Sequence, residues 1–172
     1  IKYMFPKAHA AAYVINGFRV AWFKVYHPIY YYRVLFSIRK SDFDIETMIK
    51  GKDAVKELIR EIEEKEKSEK KPKDEAVYDT LLVANEMQER GFYFAEISLE
   101  LSDATMFKVT QDGKGLIPPF TTLPSLGEAC ARKIVEERAK KPFVSIDDLQ
   151  SRGKVSQTLI DKMRAMGILS SL

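Results

Sequence analysis

The strongest constraint on the fold is a turn-and-helix pattern that occurs twice within residues 121–172. Each copy begins with two turn residues. Counted from the second turn residue, the fourth and seventh residues that follow are small or apolar. The copies are Leu126, Gly127, Ala131 and Ile134 in the first, and Val155, Ser156, Ile160 and Met163 in the second. Offsets of four and seven lie on one helical face. The pattern therefore predicts two tight turns, each leading into a short helix with one apolar face.

The first turn has the sequence of a helix-hairpin-helix motif. Pro124 and Gly127 enclose an apolar residue, and we expect the glycine to let the backbone turn sharply. The N–H groups at the start of the following helix are free, and together with the helix dipole they suit a phosphate oxygen. Such a motif holds the DNA backbone without recognising bases. Ser125 stands where the motif usually has glycine, which costs backbone freedom at that position.

The second turn follows a short helix of its own. Ser145 has the residue type of an N-cap, and Asp148 lies near the capping-box position. Lys154 lies in the turn, and Gly167 ends the last helix. Ordinary connections in a small helical bundle could have the same residues, so a purely structural role stays open. Two turns at matched offsets favour phosphate binding.

Residues 1–91 are predicted to be helical. Apolar spacing indicates helices over 7–26, 28 to about 39, 52 to about 66 and 74–90, with a short helix capped by Asp44 between the second and the third. The second helix is nearly apolar on all sides, so we expect it to be well buried, with the tyrosines at 30–32 in the core. The charged run 65–73 predicts a solvated helix end and a flexible linker.

Residues 92–120 have strand character instead. Ile97, Leu99 and Leu101 alternate with polar residues, which predicts a strand. A turn at Asp112 and Gly113 between two apolar runs predicts a hairpin over 106–117. The expected fold is therefore α+β and mainly α. It divides into a fingers-like helical region at 1–91, a small antiparallel β element at 92–120 and a tandem helix-hairpin-helix bundle at 121–172.

Charge and residue types limit the possible functions. The net charge of +3 is too small to establish a nucleic-acid partner. The one cysteine, Cys130, excludes an internal disulfide and is expected to be a structural thiol. The most apolar stretch is interrupted by Asn16 and Arg19, so we expect no membrane span. Asp42 and Asp44 have the spacing of a carboxylate pair, but helix caps explain them better than a metal site.

Longer segments carry a family likeness. They are Tyr3-Met4-Phe5-Pro6-Lys7-Ala8-His9, Leu116-Ile117-Pro118-Pro119-Phe120, Leu123-Pro124-x-Leu126-Gly127, Phe143-x-Ser145-x-x-Asp148-Leu149-x-x-Arg152 and Ile160-x-x-Met163-x-x-x-Gly167. Together they resemble the fingers helix and the tandem helix-hairpin-helix region of bacterial DNA polymerase III α subunits. The first two segments resemble the PolC-type branch. The resemblance covers nearly the whole chain and is thinnest over 51–90.

The resemblance implies a fragment of a cytoplasmic replicative polymerase, a DNA-directed nucleotidyltransferase; the absence of a first Met agrees with a fragment. In that family the palm, with its metal-binding aspartates, lies upstream. The chain alone is therefore expected to be inactive, to hold no cofactor, and to expose apolar surface on its first helix; Mg²⁺ is expected in the parent polymerase. The implied partners are duplex primer-template DNA, the incoming dNTP, the rest of the polymerase and, through a tail beyond Leu172, the sliding clamp.

The candidate site residues fall in two groups. The resemblance favours a nucleotide-binding role, over a packed helix start, for Lys7, His9 and Tyr13. The DNA-binding candidates are Ser125, Gly127, Arg132, Lys133, Lys154 and Ser156. Charged side chains on an exposed helical face need no DNA to explain them, so that alternative stays open for Arg132 and Lys133. No catalytic or metal-binding residue is expected.

Two further functions stay open at the level of sequence. The chain could be a protein-interaction module in which both hairpins are structural. It could instead be a DNA-repair accessory protein that uses the same hairpins, although the fingers-like residues 5–28 argue against this.

Overall fold

The computed structural model of the protein describes residues 6–65 and 72–172. These residues form eight α-helices and three short strands, which confirms a mainly α, α+β fold. They are α1 (Lys7–Tyr26), α2 (Pro28–Ile38), α3 (Ile45–Met48), α4 (Lys52–Glu64), α5 (Pro72–Glu89), β1 (Tyr93–Phe94), β2 (Lys108–Val109), β3 (Gly115–Ile117), α6 (Glu128–Lys140), α7 (Ile146–Gly153) and α8 (Gln157–Ala165). Residues 66–71 of the predicted linker lie outside the described residues. The division of the chain at 91 and at 120 stays a prediction.

Helix α1 has no buried residue, which confirms the expected apolar exposure at the start of the chain. Phe18 is 71% exposed and Trp22 is 49% exposed. The C-terminal end of the helix is fastened by polar contacts to α5 and to the residue after it. Lys24 Nζ lies 2.7 Å from Glu86 Oε2, and Arg90 donates to the Lys24 carbonyl at 3.2 Å. Pro28 then begins α2.

Helix α2 is buried on one face only, so it is less buried than its nearly apolar sequence predicts. Tyr32 and Phe36 are fully buried, whereas Tyr30 and Ile38 are 54% and 76% exposed. The tyrosine run is therefore split, because Tyr30 and Tyr32 lie on different helical faces. The exposed apolar side chains of α2 line a cavity of about 540 Å³ that it shares with α1.

An aromatic cluster joins α2 to the small sheet. The rings of Phe36 and Phe94 lie 4.9 Å apart between centroids, as do those of Phe43 and Phe94. Phe107 completes the cluster at 5.1 Å from Phe43. Ser37 Oγ accepts the Phe107 N–H at 2.9 Å, so a buried backbone group is satisfied inside the cluster. Buried apolar side chains continue from this cluster to the C-terminal helices.

Helix α3 begins at a side-chain cap, as predicted. Asp44 Oδ1 accepts the Thr47 N–H at 3.0 Å. Helix α4 then buries Val55, Ile59 and Ile62 on one face and packs against α5. Gly91, with a φ of 84°, lies just beyond the end of α5 in the left-handed conformation that glycine adopts without strain.

The sheet has the strand order β1-β3-β2. β2 and β3 pair antiparallel, which confirms the predicted hairpin, and β1 pairs parallel to β3 with Tyr93 opposite Gly115. A Cβ on Gly115 would lie 2.6 Å from the Tyr93 ring and 2.8 Å from Thr110 Cγ2, so any larger residue there would force these side chains to shift.

The predicted strand over 97–101 is wrong. Ser98 Oγ accepts the N–H groups of Glu100 and Leu101, and Ser102 Oγ accepts the N–H of Ser98. These local bonds use the backbone donors that a strand would pair with its neighbour. Ile97 and Leu99 still lie in the core, whereas Leu101, the third member of the alternating pattern, is 54% exposed.

Candidate nucleic-acid interface

The two predicted turns have the same backbone conformation. Ser125 has a φ of 74° and Lys154 a φ of 57°, and among the described residues other than glycine only these two have a positive φ. Each is followed by a buried apolar residue, Leu126 or Val155, both 4% exposed. The next residue caps a helix: Gly127 at φ −71°, ψ 156° and Ser156 at φ −72°, ψ 157°. We call residues 124–127 the first hairpin and residues 153–156 the second hairpin.

The turn-forming role expected for Gly127 is wrong, because its φ of −71° is accessible to any residue. The sharp change of direction falls on Ser125 instead, where the motif usually has glycine. A Cβ on Gly127 would meet no atom within 4 Å. The glycine therefore leaves the first turn of α6 open to the outside. In the second hairpin, Ser156 Oγ accepts the Leu159 N–H at 3.4 Å and Ser145 caps α7, as predicted.

Helix α6, which follows the first hairpin, packs against the second hairpin. Cys130 Sγ, on α6, lies 3.6 Å from the Gly153 carbonyl oxygen and 3.7 Å from that of Lys154. A Cβ on Gly153 would lie 3.3 Å from side-chain atoms of Ile134, which shows how closely α6 approaches the second hairpin. Burial raises the pKa of the Cys130 thiol, which suits the structural role expected for it.

The predicted basic residues of α6 are engaged in ion pairs. Arg132 lies 2.6 Å from Glu128, and Lys133 lies 3.0 Å from Glu137. Lys140 also lies 2.7 Å from Glu137, and the bonds donated by Lys140 and Lys133 lower the pKa of this carboxyl to about 2. Lys154 is exposed, and no ion pair within the described part of the chain involves it.

Two arginines near the hairpins have structural partners. Arg152 donates to the Glu137 and Lys141 carbonyls at 2.5 and 2.7 Å, which satisfies the last turn of α6. Arg138 donates to the Leu99 carbonyl at 2.7 Å and so joins α6 to the segment between β1 and β2.

Sequence reasoning missed Lys162. This residue lies on α8, yet its Nζ donates to the Pro124 carbonyl at 3.3 Å and to Ser125 Oγ at 3.4 Å. The contact joins positions 37 and 38 residues apart, so no local signal in the sequence indicates it. It places an ammonium group on the turn of the first hairpin.

The predicted nucleotide-binding residues lie at the beginning of α1. Lys7, His9 and Tyr13 are all exposed, and the rings of His9 and Tyr13 are in edge-to-face contact with centroids 4.6 Å apart. His9 and Tyr13 therefore share a face of α1, as their spacing of four residues predicts. Lys7 is seventeen residues from Lys24, and at the rise of an α-helix this places it about 25 Å from the fastened end of α1.

The described residues include no group of three or more His, Cys, Asp or Glu side chains that could hold a metal ion. The carboxylates of Asp42 and Asp44 have separate partners. Asp44 caps α3, whereas Asp42 accepts a hydrogen bond from the Ser41 hydroxyl at 3.3 Å. Within the same residues, no helix is long and apolar enough to cross a membrane.

Known proteins are similar to this chain over its whole length. Residues 94–172 match the family model of the helix-hairpin-helix motif. The chain is 51% identical to the DNA polymerase III PolC-type of Streptococcus sanguinis (strain SK36), 49% to that of Pediococcus pentosaceus and 48% to that of Listeria innocua. Each alignment covers 100% of this chain and 12% of the relative, so the chain spans about an eighth of the relatives' length. The whole chain is thus similar to one region of PolC-type DNA polymerase III, as the sequence resemblance indicated, and that region contains the helix-hairpin-helix motif.

Proposed function

We propose that this chain is the part of a replicative DNA polymerase that holds the backbone of primer-template duplex through its two hairpins. The observation that carries the proposal is the matched pair of turns, in which Ser125 and Lys154 have the same left-handed conformation and each precedes a buried residue and a helix start. One such turn is compatible with an ordinary helix connection. Two such turns, joined through α6 in a chain similar to PolC-type polymerases, favour a double contact with DNA phosphates.

The physical basis is the set of backbone donors at the starts of α6 and α8. The first N–H groups of a helix lack partners within the helix, and the helix dipole adds a partial positive charge. Gly127 leaves the start of α6 open, and Lys154 adds a positive charge at the second hairpin. Contacts of this kind are made to phosphate and sugar, so the binding should not depend on base sequence.

We further propose that α1 presents Lys7, His9 and Tyr13 to the incoming nucleotide. A Lys and a His can donate to triphosphate oxygens, and a Tyr ring can stack on a base. Support comes from the exposure of all three side chains and from the contact between His9 and Tyr13. Nucleotidyl transfer itself, and the Mg²⁺ that it needs, would depend on other parts of the longer polymerase. The sliding clamp would likewise be bound by another part of it.

The test is fluorescence anisotropy of a labelled duplex titrated with the chain between 50 and 200 mM salt. Two to four phosphate contacts predict a log–log slope of about −1.8 to −3.6, so affinity should fall about 10- to 150-fold over this range. Gly127→Val with Lys154→Glu should weaken binding and flatten the slope. The matched control is Gly17→Val with Lys50→Glu, which makes the same two changes at exposed positions away from the hairpins.

The outcome also distinguishes duplex binding from the rival function, a protein-interaction module. A chain that binds duplex with a steep slope, lost in the hairpin variant and kept in the control, supports the phosphate contacts. Absence of binding at 50 mM salt would refute them and favour a protein-interaction module, in which the hairpins only hold the fold together.

A further inference from the structure

The first hairpin is contacted by a side chain of α8, the helix that follows the second hairpin. Lys162 lies six residues after the N-cap Ser156, and its Nζ donates to the Pro124 carbonyl at 3.3 Å and to Ser125 Oγ at 3.4 Å. No ion pair within residues 6–65 and 72–172 involves Lys162. Its ammonium group is therefore held by neutral oxygen atoms of the turn, and its charge is not compensated there by a carboxylate.

The contact that α6 makes with the second hairpin is of a different kind. The position of α6 that matches Lys162 is Lys133, six residues after the N-cap Gly127, and Lys133 pairs with Glu137 on its own helix. The second hairpin is instead approached by the uncharged thiol of Cys130. The two hairpins thus share a backbone conformation but differ in which residue brings a charge to them.

The left-handed position of each turn shows why the difference matters. In the second hairpin this position is Lys154, which carries its own positive charge. In the first hairpin it is Ser125, which has no charge, and it is Ser125 Oγ that accepts a bond from Lys162. A lysine ammonium is therefore associated with both turns, supplied by the turn itself in one hairpin and by the neighbouring helix in the other.

We propose that Lys162 is the phosphate-binding cation of the first hairpin and takes there the part that Lys154 takes in the second. This inference rests on the proposed DNA-backbone function and names a residue for it. An ammonium group has three donors, and two of them are directed at the turn, which leaves the third for a phosphate oxygen. A phosphate on the first hairpin would then contact a positive charge as well as the N–H groups that begin α6.

The test measures the salt slope of duplex binding for Lys162→Gln, for the double variant Ser125→Lys with Lys162→Gln, and for Arg164→Gln as control. Arg164 is two residues away on the same helix, exposed and paired with Asp161, so its removal changes the net charge equally. Lys162→Gln should reduce the slope by about 0.9, which makes the affinity loss between 50 and 200 mM salt about threefold smaller. The double variant should restore the slope, because Lys154 shows that a lysine is accommodated at this turn position.

Each result decides the inference. A slope that falls with Lys162→Gln, recovers in the double variant and changes less with Arg164→Gln supports it. A lower melting temperature with an unchanged slope would make Lys162 a link between the hairpins only. Equal effects of Lys162→Gln and Arg164→Gln, or no recovery in the double variant, would also overturn the inference. If the wild-type chain does not bind duplex at all, the proposed function fails, and this inference fails with it.

Discussion

Replacing Arg152 by methionine should destabilise the chain strongly while leaving DNA binding by the folded chain nearly unchanged. Arg152 is basic and lies two residues before Lys154, so its position alone would favour a phosphate contact. The structure instead directs its guanidinium at the Glu137 carbonyl (2.5 Å), the Lys141 carbonyl (2.7 Å) and Asp148 Oδ2 (2.9 Å). The guanidinium carbon also lies 4.7 Å from the Phe143 ring centroid.

The expected loss follows from these contacts. A buried hydrogen bond that involves a charged group contributes about 1.5–3 kcal/mol. The Arg152 side chain is 22% exposed, so water can replace part of what is lost. We therefore expect Arg152→Met to lower the free energy of unfolding by about 2–4 kcal/mol in total. For a chain of this size, each kcal/mol lowers the melting temperature by about 2–4 °C, which gives a decrease of about 4–16 °C.

The assay is thermal unfolding followed by circular dichroism, together with the salt slope of duplex binding measured well below the melting temperature. Arg132→Met is the matched control, because it removes an exposed pair with Glu128 whose contribution should be at most about 0.5–1 kcal/mol. The reasoning is refuted if Arg152→Met is no less stable than Arg132→Met. It is refuted equally if stability is kept and the salt slope falls, since Arg152 would then be a phosphate contact.

Three further outcomes are expected. Burial raises the pKa of Tyr32 to about 12, so the neutral phenol stabilises the fold below pH 10, and this contribution is lost as pH rises towards 12. The difference in free energy of unfolding between wild type and Tyr32→Phe, measured in urea, should therefore shrink across that pH window. A difference that stays constant would contradict this expectation. Gly115→Ala should cost about 1–3 kcal/mol, because its Cβ would lie 2.6 Å from the Tyr93 ring; thermal unfolding with Gly17→Ala as the unhindered control measures it, and equal stability of the two variants would count against the clash. A dye that fluoresces on apolar surfaces should bind the chain and bind less after Phe18→Ser with Trp22→Ser, whereas no dye signal from wild type would contradict the exposure of α1.

The long helices could be predicted from sequence because their signals are local. Apolar spacing and the proline at 28 predicted α1 and α2, and the side chains of Asp44 and Ser145 cap α3 and α7 as expected. The strand expected over 97–101 failed for a reason that is also local. Alternating apolar residues suit both a strand and a turn that directs every second side chain into the core, and Ser98 and Ser102 favour the turn by accepting backbone N–H groups.

The candidate site was predicted less completely than the fold. The matched spacing located both hairpins. Within the first hairpin, however, residue type predicted the wrong position for the sharp turn. Glycine was expected at the strained position, whereas Ser125 has the positive φ and Gly127 does not. The contacts of Arg152 and Lys162 depend on how α6, α7 and α8 pack together, and no spacing within one helix contains that information.

The distribution of ion pairs indicates which basic residues should contribute to DNA affinity. Arg132 and Lys133 on α6, which were candidates for DNA binding from the sequence, pair with Glu128 and Glu137 on the same helix. A phosphate that approached them would have to compete with these carboxylates for the same guanidinium and ammonium donors. Lys154 and Lys162 have no such carboxylate partner within the described residues, and both lie at the turns. Affinity for duplex DNA should therefore depend on the geometry of the two turns and their lysines rather than on the net charge of +3.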